Sequence, residues 1–334
     1  MSGVSHKAFD NGFFYSASQF YRERFGCKVY KLSIDAGTTC PNRDGTKAFG
    51  GCIFCSERGS GDFVQNGMLP VKEQISRAKT LVSSKMTGAS KGGGKNGKYL
   101  AYFQNFSNTY GEASVLRQKY LEALSCPEVA GLSVATRPDC LSDEIIAVLK
   151  EASEKAFLQL ELGLQTSNEK TGEKIRRFYS NEDYKNAVTR IKTEIPECHV
   201  VTHLIYGLPG EEKSDMLGSL DFAVKSGTDG IKIACLHVLK NTALYTDFME
   251  GRLRHLEMEE YFELLGESLV RLPDNVVVHR LTGDGDKKIL VSPLWTADKK
   301  RVLNSMNQYF KKNGIFQGGT QAAWNVCKNR HFLL

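Results

Sequence analysis

Three cysteines crowd into the stretch CPNRDGTKAFGGCIFC: Cys40, then Cys52 and Cys55 as a C-x-x-C pair. Thiolates are soft ligands and redox groups, so such a set is a candidate metal or catalytic site. Three thiols neither pair off as disulfides nor close a four-cornered zinc site without a further Cys or His. After Cys55 the nearest histidine is His199, and the nearest other cysteine, Cys27, precedes an expected strand. A cluster of four irons and four sulfides takes one thiolate per iron, so three would leave one iron open to a ligand. Spacing alone leaves an iron–sulfur cluster, zinc and unlinked thiols all open.

The elements that must hold these thiols follow from periodicity. KVYKLSIDAG (28–37) reads as a strand ahead of the cysteines, and 98–104, 130–136, 157–165, 199–207, 229–239 and 275–282 read as strands after them. Helical patterns lie between, such as SDEIIAVLKEASE with Ser142 as N-cap, and NEDYKNAVTRIKTEI running into Pro196. Strand followed by helix, repeated, means a parallel α/β sheet or barrel. In FLQLELGLQ, four leucines alternate with Gln159, Glu161, Gly163 and Gln165. The polar face of that strand is expected to line a cavity; the competing reading is an edge strand wetted on one side.

The chain of 334 residues is long enough for a full core, as one barrel-sized domain with an extension or as two domains. No signal peptide and no apolar run of membrane-spanning length is legible, so no membrane association and a cytoplasmic location are expected. In a reducing compartment a cysteine cluster points to metal or catalysis. A net charge of +6 is too mild to identify a nucleic-acid binder. Its distribution is more informative: a basic, glycine-rich loop at 85–98 carries Lys85, Lys91, Lys95 and Lys98, and ADKKRVLNSMNQYFKKNG carries Lys299, Lys300, Arg301, Lys311 and Lys312. Both are candidate phosphate contacts; the plainer reading is solvated surface.

Together with the cysteines, the segments YFQNFSNTY (102–110), SVATRPDCL (133–141), LELGLQT (160–166), HLIYGLPGE (203–211), GIKIACLHVLKNTALY (230–245) and RLTGDGD (280–286) resemble the radical S-adenosylmethionine (radical SAM) superfamily. Within it they are similar to the branch related to the catalytic subunit of Elongator that holds the YhcC/YtqA-type proteins. The C-x11-C-x2-C spacing is the longer loop of that branch. The resemblance implies a partial (β/α)6 TIM-like barrel with a C-terminal α/β extension. The expected organisation is an N-terminal segment 1–25, a barrel 26–245 and an extension 246–334.

For the site, the resemblance implies Cys40, Cys52 and Cys55 as ligands of a [4Fe-4S] cluster whose open iron is chelated by the amine and carboxylate of S-adenosylmethionine (SAM). SAM is then cleaved to methionine and a 5'-deoxyadenosyl radical. Phe54 is expected to shield the cluster or pack by adenine. Gln104, Asn105, Ser107 and Asn108 are candidates for the methionyl amine. Thr136, Arg137, Asp139 and Gln165 fall at strand ends where barrels build active sites, and Arg137 or Arg177 is a candidate fork for the SAM carboxylate. His203, His237, Lys240 and Arg280 are the candidate catalytic groups. Asp284 and Asp286 belong to the same pattern. The remaining cysteines form no second C-x-x-C, so an auxiliary cluster is not expected.

The resemblance further implies action on the anticodon region of tRNA, converting 5-carboxymethylaminomethyluridine at the wobble position, with or without a 2-thio group, to 5-aminomethyluridine. Electrons would come from a donor such as flavodoxin or ferredoxin. A radical SAM enzyme acting on a small molecule or protein is the alternative reading, and a non-enzymatic zinc protein a more distant one.

Overall fold

The structure, a computed structural model, describes residues 8–57, 59, 67–87, 97–283 and 285–319. Helix α1 (Ala17–Phe25) leads into strand β1 (Val29–Ile34), followed by α2 (Val71–Thr87), β2 (Lys98–Phe103), α3 (Ala113–Leu124), β3 (Val129–Thr136), α4 (Asp143–Lys155) and β4 (Phe157–Gln165). Then come α5 (Glu169–Lys174), α6 (Asn181–Glu194), β5 (His199–Tyr206), α7 (Lys213–Lys225), β6 (Gly230–Cys235), β7 (Val238–Leu239) and α8 (Ala243–Met249). Helix α9 (Met258–Arg271), β8 (Val277–Arg280), β9 (Leu290–Ser292) and α10 (Lys299–Lys312) close the described chain. The strand order is β1-β2-β3-β4-β5-β6-β8, with β7 and β9 as a separate pair. No helix among the described residues is long and apolar enough to cross a membrane.

Every strand expected from periodicity is present within a few residues of its expected ends. The expected strand 229–239 is divided, because β7 leaves β6 to pair antiparallel with β9. Lys85 belongs to α2 rather than to the basic loop, and Lys91 and Lys95 lie outside the described residues. The caps act as the sequence implies. Ser142 accepts from the Ile145 amide at 3.4 Å, and Ser180 with Asp183 forms a capping box on α6. Each satisfies orphan amides and contributes about 1 kcal/mol.

Two compact units divide the chain. One comprises Tyr21–Leu164 and Arg176–Val201. There β1 to β4 pair in parallel, and register aligns Leu32, Ala101, Leu132 and Leu158 in one fully buried apolar row. The adjacent row, on the other face, is Ser33, Tyr102, Ser133 and Gln159. Here β4 departs from both readings of its polar face: Gln159 and Glu161 are 0% and 1% exposed. They are neither wet nor open, because distant strands and helix α1 supply their partners. Lys31 bonds Glu161 and also reaches Ser133 at 3.2 Å, Tyr102 donates to Glu161 at 3.0 Å, and Tyr21 donates to Gln159 at 2.7 Å. Lys31 also lies 4.7 Å over the Tyr102 ring. A buried pair of this kind persists only when its remaining hydrogen bonds are met.

The other unit comprises residues up to Phe20, Gln165–Ile175 and the chain from Thr202 onward. In it β8 pairs in parallel with β6, bringing a strand of the expected extension into line with one of the barrel. Helix α10 buries Val302, Met306 and Phe310, a four-residue spacing that makes one apolar stripe, and leaves its charged residues outward.

Candidate active site

The cysteines lie in the connection from β1 to α2, at the carboxyl end of the first strand. The eleven residues between Cys40 and Cys52 fold back on themselves. The Pro41 carbonyl accepts from Lys47 and Ala48, the Asn42 carbonyl from Gly51, and Asp44 bridges Phe49. Gly51 is required by space as well as by φ of 82°, since a Cβ there would meet the Arg43 guanidinium at 3.0 Å.

Asn42 is fully buried and braces the thiols. Its amide donates to Cys52 Sγ at 3.4 Å and to the carbonyls of Arg176 and Arg177 at 2.8 and 3.3 Å. The Arg176 carbonyl also accepts from the Cys52 thiol at 3.4 Å. Cys55 hydrogen-bonds Cys52, and Arg137, Asn42 and Arg43 add to its effect, so the Cys52 thiol is pulled down to about 7 although burial opposes this. Cys55, the donor of that bond and half-buried, is pushed up. Arg137 reaches Cys40 Sγ at 3.9 Å. Three thiols beside the buried Arg137, the half-buried Arg43 and the Asn42 amide form a set that favours the thiolates a cluster requires. Among the described residues no three His, Cys, Asp or Glu side chains converge on one point as single-ion ligands do. A cluster spreads its thiolates, one per iron.

Arg137 forks onto Asp139 through two bonds of 2.8 Å and lies 4.8 Å over the Tyr179 ring. Burial works against its charge, yet Asp139 more than offsets this and its pKa is raised. Asp139, half-buried, is held low by Arg137 and by Lys47 at 2.6 Å although its partial burial opposes this. Arg177 is 1% exposed and donates to the carbonyls of Tyr179 and Leu164 and to Asn181. Both forks hold protein partners: Arg177 is bonded to two carbonyls and Asn181, while Arg137 gives Nε and Nη2 to Asp139 and turns Nη1 toward Cys40 Sγ.

The segment after β2 is strained and under-bonded. Asn105 and Phe106 are consecutive left-handed residues, at φ 68° and 51°. Asn105 donates to Asp35 at 3.0 Å, the Ser107 amide to the Thr39 carbonyl at 3.2 Å, and Asn108 to the carbonyls of Asn105 and Ala135. Yet Asn42 Oδ1, Asn105 Oδ1, Asn108 Oδ1 and Thr38 Oγ1 are buried with no partner among the described residues, whereas Ser107 lies against Cys140. Buried polar atoms are rarely left so, and these oxygens can accept from a ligand carrying donors. Gln104 donates to Ser33 at 2.9 Å, and Thr136 shares a 2.6 Å bond with Thr109. A cleft of about 870 Å³ opens beside the loops, lined by Thr38, Thr39, Tyr110, Lys119, Asp139 and Cys140 among others. Phe54 is half-buried.

Gln165, His203, His237, Lys240 and Arg280 belong to the other unit. Gln165 is left-handed at φ 67°. His203 is half-buried on β5, and Lys240 is exposed with its amide bonded to the Ile289 carbonyl. Arg280 donates to the Thr282 carbonyl. RLTGDGD acquires a physical account: Gly283 and Gly285 make room for the His237 ring, which a Cβ would approach to 2.5 and 2.8 Å. Asp286 turns the chain into β9 by accepting from the Lys288 amide; Asp284 lies outside the described residues. Sequence reasoning missed Asn42 and Lys47, which read as ordinary loop residues. It also quoted Glu211 in GLPGE without seeing that burial raises its carboxyl to about 7, Asp215 adding to the shift while Thr166 opposes it.

A parallel α/β sheet with a three-thiol loop at the carboxyl end of its first strand defines a class, that of cluster-binding barrel enzymes. The radical SAM superfamily model matches residues 39–223 and the Radical SAM C-terminal domain matches residues 228–312, and the chain belongs to the radical SAM superfamily. It is 38% identical to the Bacillus subtilis protein YtqA over 305 residues, covering 91% of this chain and 92% of that one. It is 33% identical to Escherichia coli YhcC over 302 residues, covering 90% and 93%. The fold resembles that of Methanocaldococcus infernus Elp3, with a TM-score of 0.63 at 16% identity over 86% of this chain and 64% of that one. The cofactors of the superfamily are a [4Fe-4S] cluster and SAM, which settles the choice left open by cysteine spacing.

Proposed function

We propose that this radical SAM enzyme modifies tRNA, converting the 5-carboxymethylaminomethyl group of the wobble uridine, with or without a 2-thio group, to 5-aminomethyl. Cys40, Cys52 and Cys55 would hold the cluster, which when bound supplies the site for the methionyl end of SAM. When bound, these cofactors supply reductive cleavage of the sulfonium and a carbon-centred radical able to remove hydrogen from the carbon between nitrogen and carboxylate. The protein's own part is to bind and orient. The unpartnered oxygens of Asn42, Asn105 and Asn108 suit the N–H donors of an ammonium group. Arg137, held rigid by Asp139, keeps positive charge beside the thiolates.

The observation that supports RNA as substrate is α10. It exposes Lys299, Lys300, Arg301, Lys311 and Lys312 and contains no acid. Three of these cations stand at its amino end, where the helix dipole disfavours positive charge. A charge placed against local stability suits a polyanion, and a wobble base taken out of its stack must be held by its flanking phosphates. The direct test is nucleoside mass spectrometry of tRNA from a strain lacking the gene. Accumulation of the 5-carboxymethylaminomethyl nucleoside with loss of 5-aminomethyl is expected; unchanged nucleosides refute the reading.

A further inference from the structure

Lys47 stands in the spacer between Cys40 and Cys52 with its side chain 39% exposed, where a lysine would ordinarily keep its rotamer freedom and point into water. Instead it is held by two acceptors from distant parts of the same unit, the Asp139 carboxylate at 2.6 Å and the Phe178 carbonyl at 3.0 Å. Phe178 offers that carbonyl from a left-handed backbone, at φ 57°. Arg176, left-handed at φ 56°, supplies the carbonyl that rests on Cys52 Sγ at 3.4 Å. Such conformations cost an ordinary residue free energy and persist only where the surroundings fix them. The strained turn fastens the spacer at two points, one on a ligand cysteine and one on Lys47.

The carboxylate that Lys47 meets is shared. Arg137 gives it Nε and Nη2, each at 2.8 Å, and turns Nη1 toward Cys40 Sγ at 3.9 Å. Tyr179 fixes the guanidinium from its other side, lying 4.8 Å beneath it with its hydroxyl bonded to the Gly163 carbonyl at 2.7 Å. Arg137 and Asp139 alone would be an ion pair without net charge, whose field at the thiols largely cancels. Lys47 alters that balance, because two cations against one carboxylate leave one positive charge beside Cys40. Arg43, also near the thiols, donates to the carbonyls of Ser56 and Glu57. The remaining acids of the loop, Asp44 and Glu57, are exposed, and water and salt screen them.

We infer that Lys47 is a positioning residue which, acting through Asp139 and Arg137, sets the net charge beside Cys40 and thereby raises the reduction potential of the cluster. The inference rests on Cys40, Cys52 and Cys55 holding that cluster. Reduction from the 2+ to the 1+ state adds one electron, with no bond made or broken and no proton moved. Each fixed cation nearby therefore favours the reduced state and each carboxylate opposes it. Lys47 and Asp139 are bonded to each other, yet they pull the potential in opposite directions. A bond that served structure alone would be lost alike from either side.

The test is a mediated dithionite titration of the full-length, anaerobically reconstituted protein at low ionic strength and without SAM, read by the electron paramagnetic resonance of the reduced cluster. Lys47→Met should lower the equilibrium constant for reduction about threefold, which is about 28 mV for one electron. Asp139→Asn should raise it about tenfold, about 59 mV, the larger shift because its side chain is only 10% exposed and less screened than that of Lys47. Lys47→Arg, which keeps the charge, should stay at the parent potential. The double variant Lys47→Met, Asp139→Asn should return close to the parent, since Arg137 then supplies the one remaining charge. Shifts of the same sign in the two single variants overturn the inference, as do unchanged potentials in both or a double variant displaced further than either. A parent protein that takes up no cluster refutes the ligand assignment, and the role of Lys47 with it.

Discussion

Replacing Lys299, Lys300 and Arg301 together by Ala separates a binding role for α10 from a structural one, because the two move in opposite directions. All three side chains are exposed, and the N-cap bond survives the change, since Asp298 accepts from the backbone amide of residue 301 at 3.1 Å. Each phosphate contact contributes about 0.7–0.9 to the slope of log affinity against log salt. Three lost contacts therefore flatten the slope by about 2 to 2.7. From 50 to 200 mM salt the logarithm of concentration rises by about 0.6, so the variant should lose about 1.3 to 1.6 decades less affinity than the parent over that range. Meanwhile removal of cations from the positive end of the helix dipole should raise stability by about 0.3–1 kcal/mol per charge at low salt. Filter binding of tRNA across a salt series, with a thermal melt of each protein, reads both quantities. Parent affinity and parent slope in the triple variant would refute the reasoning, whatever the melt shows.

Cys52→Ala should abolish both the brown chromophore and SAM cleavage, whereas Cys126→Ser and Cys198→Ala should keep the cluster absorbance; a fully active Cys52→Ala protein contradicts the ligand assignment. His199 is buried, and burial, then Lys192 and Lys31, lowers its pKa from 6.5 to about 3. The imidazole is therefore neutral when folded and takes up a proton on unfolding, so its contribution to stability is complete above pH 6.5 and lost as pH falls toward 3, amounting to about 2 kcal/mol at pH 5. Melts at pH 7.5 and pH 5 should show that loss in the parent and its absence in His199→Gln; equal losses refute the burial argument. Gly283→Ala puts a methyl 2.5 Å from His237 Cε1 and should cost about 1–3 kcal/mol, read as a lowered melting midpoint. An unchanged midpoint would show that the ring can move aside.

Alternation and caps made the strands and α4 and α6 legible, because both are local: a period of two needs only its own segment, and Ser142 needs only the amide three residues on. The cysteine set was legible for the same reason. What lies across the fold was not. The alternation in β4 shows that its faces differ, yet that the polar face would be filled by Lys31, Tyr102 and Ser133 depends on strands up to 130 residues away. Nor does sequence show that the Arg176 carbonyl rests on Cys52, or that the Arg137 fork is taken by Asp139. The glycines of RLTGDGD carried a pattern without a cause until the ring of His237 was seen against them. Of the basic loop, only Lys98 has a described side chain, 5.8 Å over the Phe25 ring.

The fold-back between Cys40 and Cys52 bears on how such a loop evolves and how it can be engineered. Its two ends are fastened close together by backbone bonds, so the spacer is a self-closed appendage and not a tether under tension. Changing the length of a flexible loop with fixed ends is cheap, about 0.6 kcal/mol for each doubling. Residues at its tip other than Lys47, which bonds Asp139 and the Phe178 carbonyl, can then be exchanged, lengthened or grafted from a relative while the thiols keep their places. The spacing of the cysteines along the chain thus records the length of a detour that selection can vary independently of the chemistry at its base.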